Sequence, residues 1–311
     1  MLNAIPRIAL IFIFIAILNA QEPSAPPPEP GSPADLVQQG VKLSREGRQD
    51  DALALYGKVL QKSPDFYQAH LESGIALDLK GDYSKGQEHL IKAVEAAPAD
   101  FKEQALRSLA FSYAFAGNVD KIAEPELQVL KMNQEKKDLV RSAEICNELA
   151  RLYLELGNTD QAYKWYKTGY DTINAKTDLS ESDKSLWLFR WESAQARVAA
   201  RKGNAAEAQR HVITAKEALD KANNQDQLRF YPYLTGYVAF YTGDYKTAIT
   251  DFQKADQRDP LILALLGEAY RKSGDSAQAV EYYKKVLLIN IHNPTNAFAR
   301  PLAQKRLQTG A

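Results

Sequence analysis

Four stretches of the chain carry one pattern of small, apolar and polar positions. LVQQGVKLSREGRQDDALALYGKVLQKSP, HLESGIALDLKGDYSKGQEHLIKAVEAAP, PYLTGYVAFYTGDYKTAITDFQKADQRDP and LALLGEAYRKSGDSAQAVEYYKKVLLIN each begin with a small residue (Gly40, Gly74, Gly236, Gly267). A glycine stands seven positions later (Gly47, Gly81, Gly243, Gly274) and a second small residue five after that (Ala52, Gly86, Ala248, Ala279). A large side chain follows after four more (Tyr56, Leu90, Phe252, Tyr283), and Pro64, Pro98 and Pro260 close three of the four units. The spacing predicts a helical hairpin. Small residues at matching heights let two antiparallel helices approach closely, the glycine between them takes the turn, and the large residue fills the space beside the crossing. Proline then ends the second helix, because it lacks the amide hydrogen and clashes with the preceding turn.

Three further units carry the pattern less fully. One keeps Ala150, Tyr153, Gly157, Ala162 and Tyr166, and another keeps Ala196, Gly203, Ala208 and Ala215. The third has a good first helix (Leu109, Ala110, Tyr113, Gly117). Its second fits one residue late, at Ala123, Leu127 and Leu130, with Pro125 inside it, so a distorted helix is expected there. The turn glycines at 47, 81, 117, 157, 203, 243 and 274 give intervals of 34, 36, 40, 46, 40 and 31. The longest interval contains DTINAKTDLSESDKS, where Ser180 and Asp183 have the spacing of a capping box that starts a long helix through Trp187 and Trp191. Past the last unit, HNPTNAFARPLAQKRL offers Asn293 as N-cap and Pro294 at the first helical position. This helix is expected to cover the apolar face left by the final repeat, and Pro301 to bend or shorten it.

These units resemble tetratricopeptide repeats, a 34-residue helix-turn-helix, over nearly all of residues 34–290. The resemblance implies an all-α fold, an α-solenoid in which about seven repeats stack into a right-handed superhelix, with residues 291–311 as a C-terminal capping helix and tail. In this family one face of each first helix lines a concave groove. In RFYPYLTGYVAFYTGDY, residues 229–245, the helix-packing face is Thr235, Gly236 and Ala239, and Tyr233, Tyr237, Phe240 and Tyr241 share another face at i, i+4, i+7 and i+8. These aromatics are expected to line the groove, with burial in the core as the other reading. The groove positions of the preceding unit are Arg190, Arg197 and Arg201, with Arg151 one unit earlier and Arg271 and Lys272 one later. Arginine pairs carboxylates bidentately and stacks on rings, so the combination suits an extended peptide or partner protein with acidic and apolar side chains. Taken singly, each arginine is also readable as solvated charge, and Glu144, Glu148 and Glu155 dilute the patch. The best-known peptide-binding members clamp a C-terminal carboxylate with Lys and Asn in the first repeat and a basic pair in the third. The matching positions here hold Val37, Val41, Gln104 and Ser108, so that mode is not expected.

The N-terminus follows a different pattern. MLNAIPR, with one arginine, precedes the apolar run IALIFIFIAIL, and NA follows, as in a secretory signal peptide over residues 1–20 cut after Ala20. An uncleaved anchor is the alternative, because Leu18 is large for its place before the cut. Residues 21–33, QEPSAPPPEPGSP, read as an extended proline-rich tether. A bacterial lipoprotein is excluded, since Gln21 stands where the lipidated cysteine would be and Cys146 is the only cysteine. Lys+Arg and Asp+Glu number 39 each, so the chain lacks the broad basic field that nucleic-acid binding needs. His70, His89, His211 and His292 share no local metal-ligand spacing, and no phosphate loop or nucleophile motif is present. Neither a catalytic site, a metal nor a cofactor is expected. The expected function is that of an exported, non-catalytic protein-binding scaffold in the periplasm or cell envelope, without nucleic acid or small-molecule cofactor. The alternatives are a self-associating structural protein and an enzyme subunit with a site gathered across the groove.

Overall fold

The structure is a computed structural model that describes residues 28–310; the expected signal peptide and the tether up to residue 27 lie outside it. Its helices are α1 (Pro33–Arg45), α2 (Gln49–Lys62), α3 (Tyr67–Lys80), α4 (Tyr83–Ala96), α5 (Ala99–Phe115), α6 (Ala123–Glu135), α7 (Leu139–Glu155) and α8 (Thr159–Asn174). They continue with α9 (Glu181–Arg201), α10 (Ala205–Ala222), α11 (Tyr231–Tyr241), α12 (Tyr245–Lys254), α13 (Pro260–Lys272), α14 (Ser276–Leu287) and α15 (Pro294–Thr309). A 3-10 turn, Gln225–Phe230, leads into α11. With no strand among the described residues, the fold is an all-α solenoid.

Consecutive helices pair as seven antiparallel hairpins, α1/α2 through α13/α14. Each turn glycine has a positive φ, from 68° at Gly117 to 94° at Gly81, a conformation in which a β-carbon clashes with the chain. At the crossings, the large residue presses on the small one. A β-carbon on Gly236 would stand 2.8 Å from Phe252 Cδ1, and one on Gly267 2.5 Å from Tyr283 Cε1. Tyr56, Leu90, Phe252 and Tyr283 are fully buried, and each such side chain stabilises its hairpin by about 1.5–3 kcal/mol relative to exposure. First helices form an inner layer and second helices an outer one. Helix α3 buries nine of its fourteen residues and α4 three of fourteen, while α13 buries ten of thirteen and α14 three of twelve.

Prolines account for three departures from the expected local structure. Pro33, the last residue of the tether, is already helical: Ser32 caps α1 by accepting the Asp35 amide at 3.2 Å. The expected distortion around Pro125 is absent, because α6 starts only at Ala123 and the proline falls in its first turn, where amides have no intrahelical acceptor. Pro301 neither ends nor shortens α15, which runs on to Thr309.

Helix α15 does more than cover the last hairpin. Asn293 caps it, accepting the Asn296 amide at 2.8 Å, and Ala299 and Ala303 pack with Leu263 and Tyr283. Its opposite side enters a cluster with the second and third hairpins: Ala297 lies among Leu79, Ala110, Phe111 and Phe115. Small residues on two sides let one helix approach both layers. Arg300 donates from Nε to the Leu79 carbonyl at 2.6 Å, and from Nη1 to the Leu287 and Ile289 carbonyls at 3.2 Å. His292 Nε2 lies 2.9 Å from Asp78 Oδ2, and Ser112 donates to the other oxygen of that carboxylate at 2.9 Å. Burial raises the Asp78 pKa, and His292 and Ser112 partly restore the charged form. Through α15 the seventh hairpin is joined to the second and third, and the solenoid closes on itself.

Candidate functional site

Inner-layer helices α7, α9, α11 and α13, with α8 and the first turn of α15, surround a cavity of about 120 Å³. Four of the residues expected in the groove line it: Arg151, Arg190, Arg197 and Tyr233. Each arginine lies over an aromatic ring. Arg151 Cζ is 5.6 Å from the Tyr233 ring centre, Arg197 Cζ 5.4 Å from that of Tyr166, and Arg190 Cζ 4.4 Å from that of Trp187. Arg151 Nη2 also donates to Tyr233 Oη at 3.3 Å, and Arg197 Nε to the Ser193 carbonyl at 3.2 Å. Burial pulls the Arg190 pKa down to about 10, against the opposing pull of Glu144 and Asp183.

Four carboxylates also border the cavity, and each is engaged elsewhere. Glu148 forms a two-pronged pair with Arg107 at 2.7 Å, Glu144 accepts from Arg141 at 3.1 Å, and Asp256 pairs with Arg258 at 2.6 Å. Asp259 caps α13 by accepting the Leu261 amide at 2.9 Å. Among the described residues no carboxylate comes within 4.0 Å of the Arg151 or Arg197 nitrogens. The cavity, also bordered by Arg229, is therefore a half-open site in which arginines on aromatic walls face carboxylates held by other partners, suited to an anionic group attached to an apolar body.

The other five expected residues lie in the frame around it. Tyr237 is fully buried, which corrects the expectation that it faces an open groove. The closing solenoid brings the C-terminal end of α7 against α11, and Tyr237 Oη donates to Glu155 Oε1 at 3.2 Å. Arg201 is consumed by the same junction. It donates to Tyr241 Oη at 2.6 Å, to the Glu155 carbonyl at 3.0 Å and to the Leu154 carbonyl, while its guanidinium stacks on Tyr241 at 4.6 Å. Phe240 packs edge-on against Tyr241 at 4.9 Å, half-buried beside the same cluster. Arg271 pairs with Glu268 at 2.9 Å, and Glu268 also accepts from Arg306 of α15 at 2.6 Å and from Tyr283 at 2.6 Å.

Tyr166 and Ser193 border the cavity without having been expected there. Tyr166 occupies the position of the large crossing residue in its repeat, which marks it as framework, yet it also walls the cavity, with the Arg197 guanidinium against it. Cys146 is buried in the core beside Leu106, Val129 and Ile145, and burial pushes its thiol up to about 12. His70 and His89 face each other Nδ1 to Nδ1 at 2.9 Å, far in sequence from the cavity-lining residues.

Three segments match family models described as tetratricopeptide repeat: residues 38–101, 143–171 and 262–297. These three segments carry tetratricopeptide repeats. No curated protein shows a significant sequence match. Among solved structures, the chain is similar to a tetratricopeptide repeat protein from Parabacteroides merdae, with TM-score 0.52 and 15% identity over 88% of this chain and 98% of that one. It is also similar to the apo form of RapI, with TM-score 0.54 and 12% identity over 87% of this chain and 98% of that one. At these identities the likeness is one of fold.

Proposed function

We propose that this chain of tetratricopeptide repeats is an exported, non-catalytic scaffold that recognises a partner protein or peptide in a cell-envelope assembly. Repeats of this kind generally mediate protein–protein contacts, and the inner face here presents arginines stacked on aromatic rings. The observation that carries the reading is the pairing of Arg151 and Arg197 with tyrosine rings and with no carboxylate. Guanidiniums over aromatic rings with no carboxylate in direct contact favour an acidic, apolar element of the partner, which gains charge-assisted hydrogen bonds where water is excluded. Export rests on the apolar run Ile8–Leu18 followed by Asn19 and Ala20.

The test is affinity capture from envelope extract with the wild-type chain and with Arg151→Met as baits. A foreign protein recovered in stoichiometric amount with the wild type and depleted with the variant supports the reading. Equal recovery with both baits removes the arginine surface from recognition. Recovery of the bait alone favours a self-associating structural protein.

A further inference from the structure

The interior of the cavity is small and its polar atoms are unsatisfied. At about 10–15 Å³ for each water-sized centre, 120 Å³ holds roughly eight to twelve heavy atoms, too few for an extended peptide. Ser193 is only 8% exposed and its Oγ has no hydrogen-bond partner; Arg151 Nε has none either. Buried polar atoms are normally paired, so two unpaired ones around a single cavity mark a place for a ligand's polar group. The remaining wall is apolar, from Phe189, Leu234 and Ile262.

From this we infer that the cavity binds a small carboxylic acid with an aromatic or short aliphatic body. Its carboxylate is held by Arg151 and Arg197 and accepts from the Ser193 hydroxyl, and its body lies against Phe189, Leu234 and Ile262. A guanidinium presents donors in a planar fork that matches a carboxylate, and two of them with a hydroxyl saturate its lone pairs. Inorganic phosphate would meet the arginines but leave the apolar wall unused. The same chemistry is offered by a free acid and by the C-terminal residue of a polypeptide. The inference rests on the recognition role proposed above only for the location of the site.

Isothermal titration of the full chain tests it, with phenylacetate, hexanoate and the neutral isostere phenylacetamide as probes. Phenylacetate is expected to bind saturably at one site, and phenylacetamide about tenfold or more weaker. Ser193→Ala should leave the ligand-free melting temperature unchanged, because Oγ bonds to nothing in the chain, while weakening phenylacetate several-fold. Arg197→Met should weaken it about tenfold or more. Acid and amide binding equally, or neither acid saturating at millimolar concentration, overturns the inference. So does a Ser193→Ala variant with lowered melting temperature and unchanged affinity, which assigns the hydroxyl to the fold. The two sources separate in competition. If phenylacetate displaces a captured partner, the partner's own carboxylate fills the site. If phenylacetate binds and capture is unaffected, the ligand is a free acid, and the protein-recognition reading of this site fails while the inference stands.

Discussion

Truncating Tyr237 tests whether the closed solenoid, rather than an open groove, is the environment of α11. Its side chain is fully buried, its ring centre lies 4.6 Å from that of Tyr241 and 5.8 Å from that of Tyr233, and its hydroxyl donates to Glu155 at 3.2 Å. Removal of a large aromatic from such a site costs about 3–5 kcal/mol. Tyr237→Phe keeps the ring and loses one hydrogen bond to a buried carboxylate, at a cost of about 1–3 kcal/mol. The difference between the variants, about 2 kcal/mol, is the share due to ring packing. In urea unfolding followed by circular dichroism, with a slope of about 3 kcal/mol per molar, Tyr237→Ala should lower the midpoint by about 1 M or more and Tyr237→Phe by about half of that. A tyrosine lining an open groove would cost no more than about 0.5 kcal/mol on truncation. A wild-type midpoint for Tyr237→Ala, or equal midpoints for the two variants, would refute the reasoning.

Other expectations follow from the same contacts. Gly236→Leu should destabilise by about 1–3 kcal/mol through the collision with Phe252, and an unchanged melting temperature would contradict the hairpin register. Asp78→Ala should cost about 1–3 kcal/mol and speed hydrogen exchange in residues 294–309, since it leaves His292 without its buried partner; wild-type exchange there would show that the pair does not hold α15. Burial opposes the Glu268 charge, but Arg271, Arg306 and Tyr283 more than offset it and hold its carboxyl at about 2, below its ordinary value. The resulting stability is present in full above about pH 4.5 and is lost as pH falls toward 2. The stability gap between wild type and Glu268→Gln should therefore be about 2 kcal/mol at pH 7 after solvent screening, and should narrow toward pH 3; a gap independent of pH would contradict this. Intact-mass measurement of the exported chain should show Gln21 as its first residue, and retention of Met1 would make the protein tethered.

Local rules written in the sequence are visible in the coordinates at particular residues. Gly236 opposes Phe252, Gly267 opposes Tyr283, and Ser180 caps α9 by accepting the Asp183 amide at 3.0 Å, because each of these contacts joins neighbours in one hairpin or one turn. What closes the solenoid was not legible in this way. Arg300 meets Leu79, and His292 meets Asp78, across more than 200 residues, where no periodicity links the partners. The assignment of Tyr237 failed for a related reason. Helical phase placed it on the same face as Tyr233, but whether that face stays open depends on how tightly the repeats curl, and here Glu155, 82 positions away, closes over it. Arg201 was drawn into the same junction, whereas Arg151 and Arg197 remain without a carboxylate. Tyr166 was hidden by its own repeat position, since it looks like the packing residues Tyr56 and Tyr283 and differs from them in bordering the cavity.

Closure of the solenoid by α15 sets the walls of the cavity, because Pro294 and Thr295 form part of its lining. A spin-label distance measurement between α4 and α15 tests it most directly. Tyr83 and Gln304 touch through their side chains at 3.4 Å, and Tyr83→Cys with Gln304→Cys provides the label sites; the native Cys146 is buried and resists labelling. Double electron–electron resonance on the full chain should give one narrow, short distance population, at the lower limit of the method. A broad or long distribution would show that α15 caps only the last hairpin, and would contradict the closed frame on which the cavity depends.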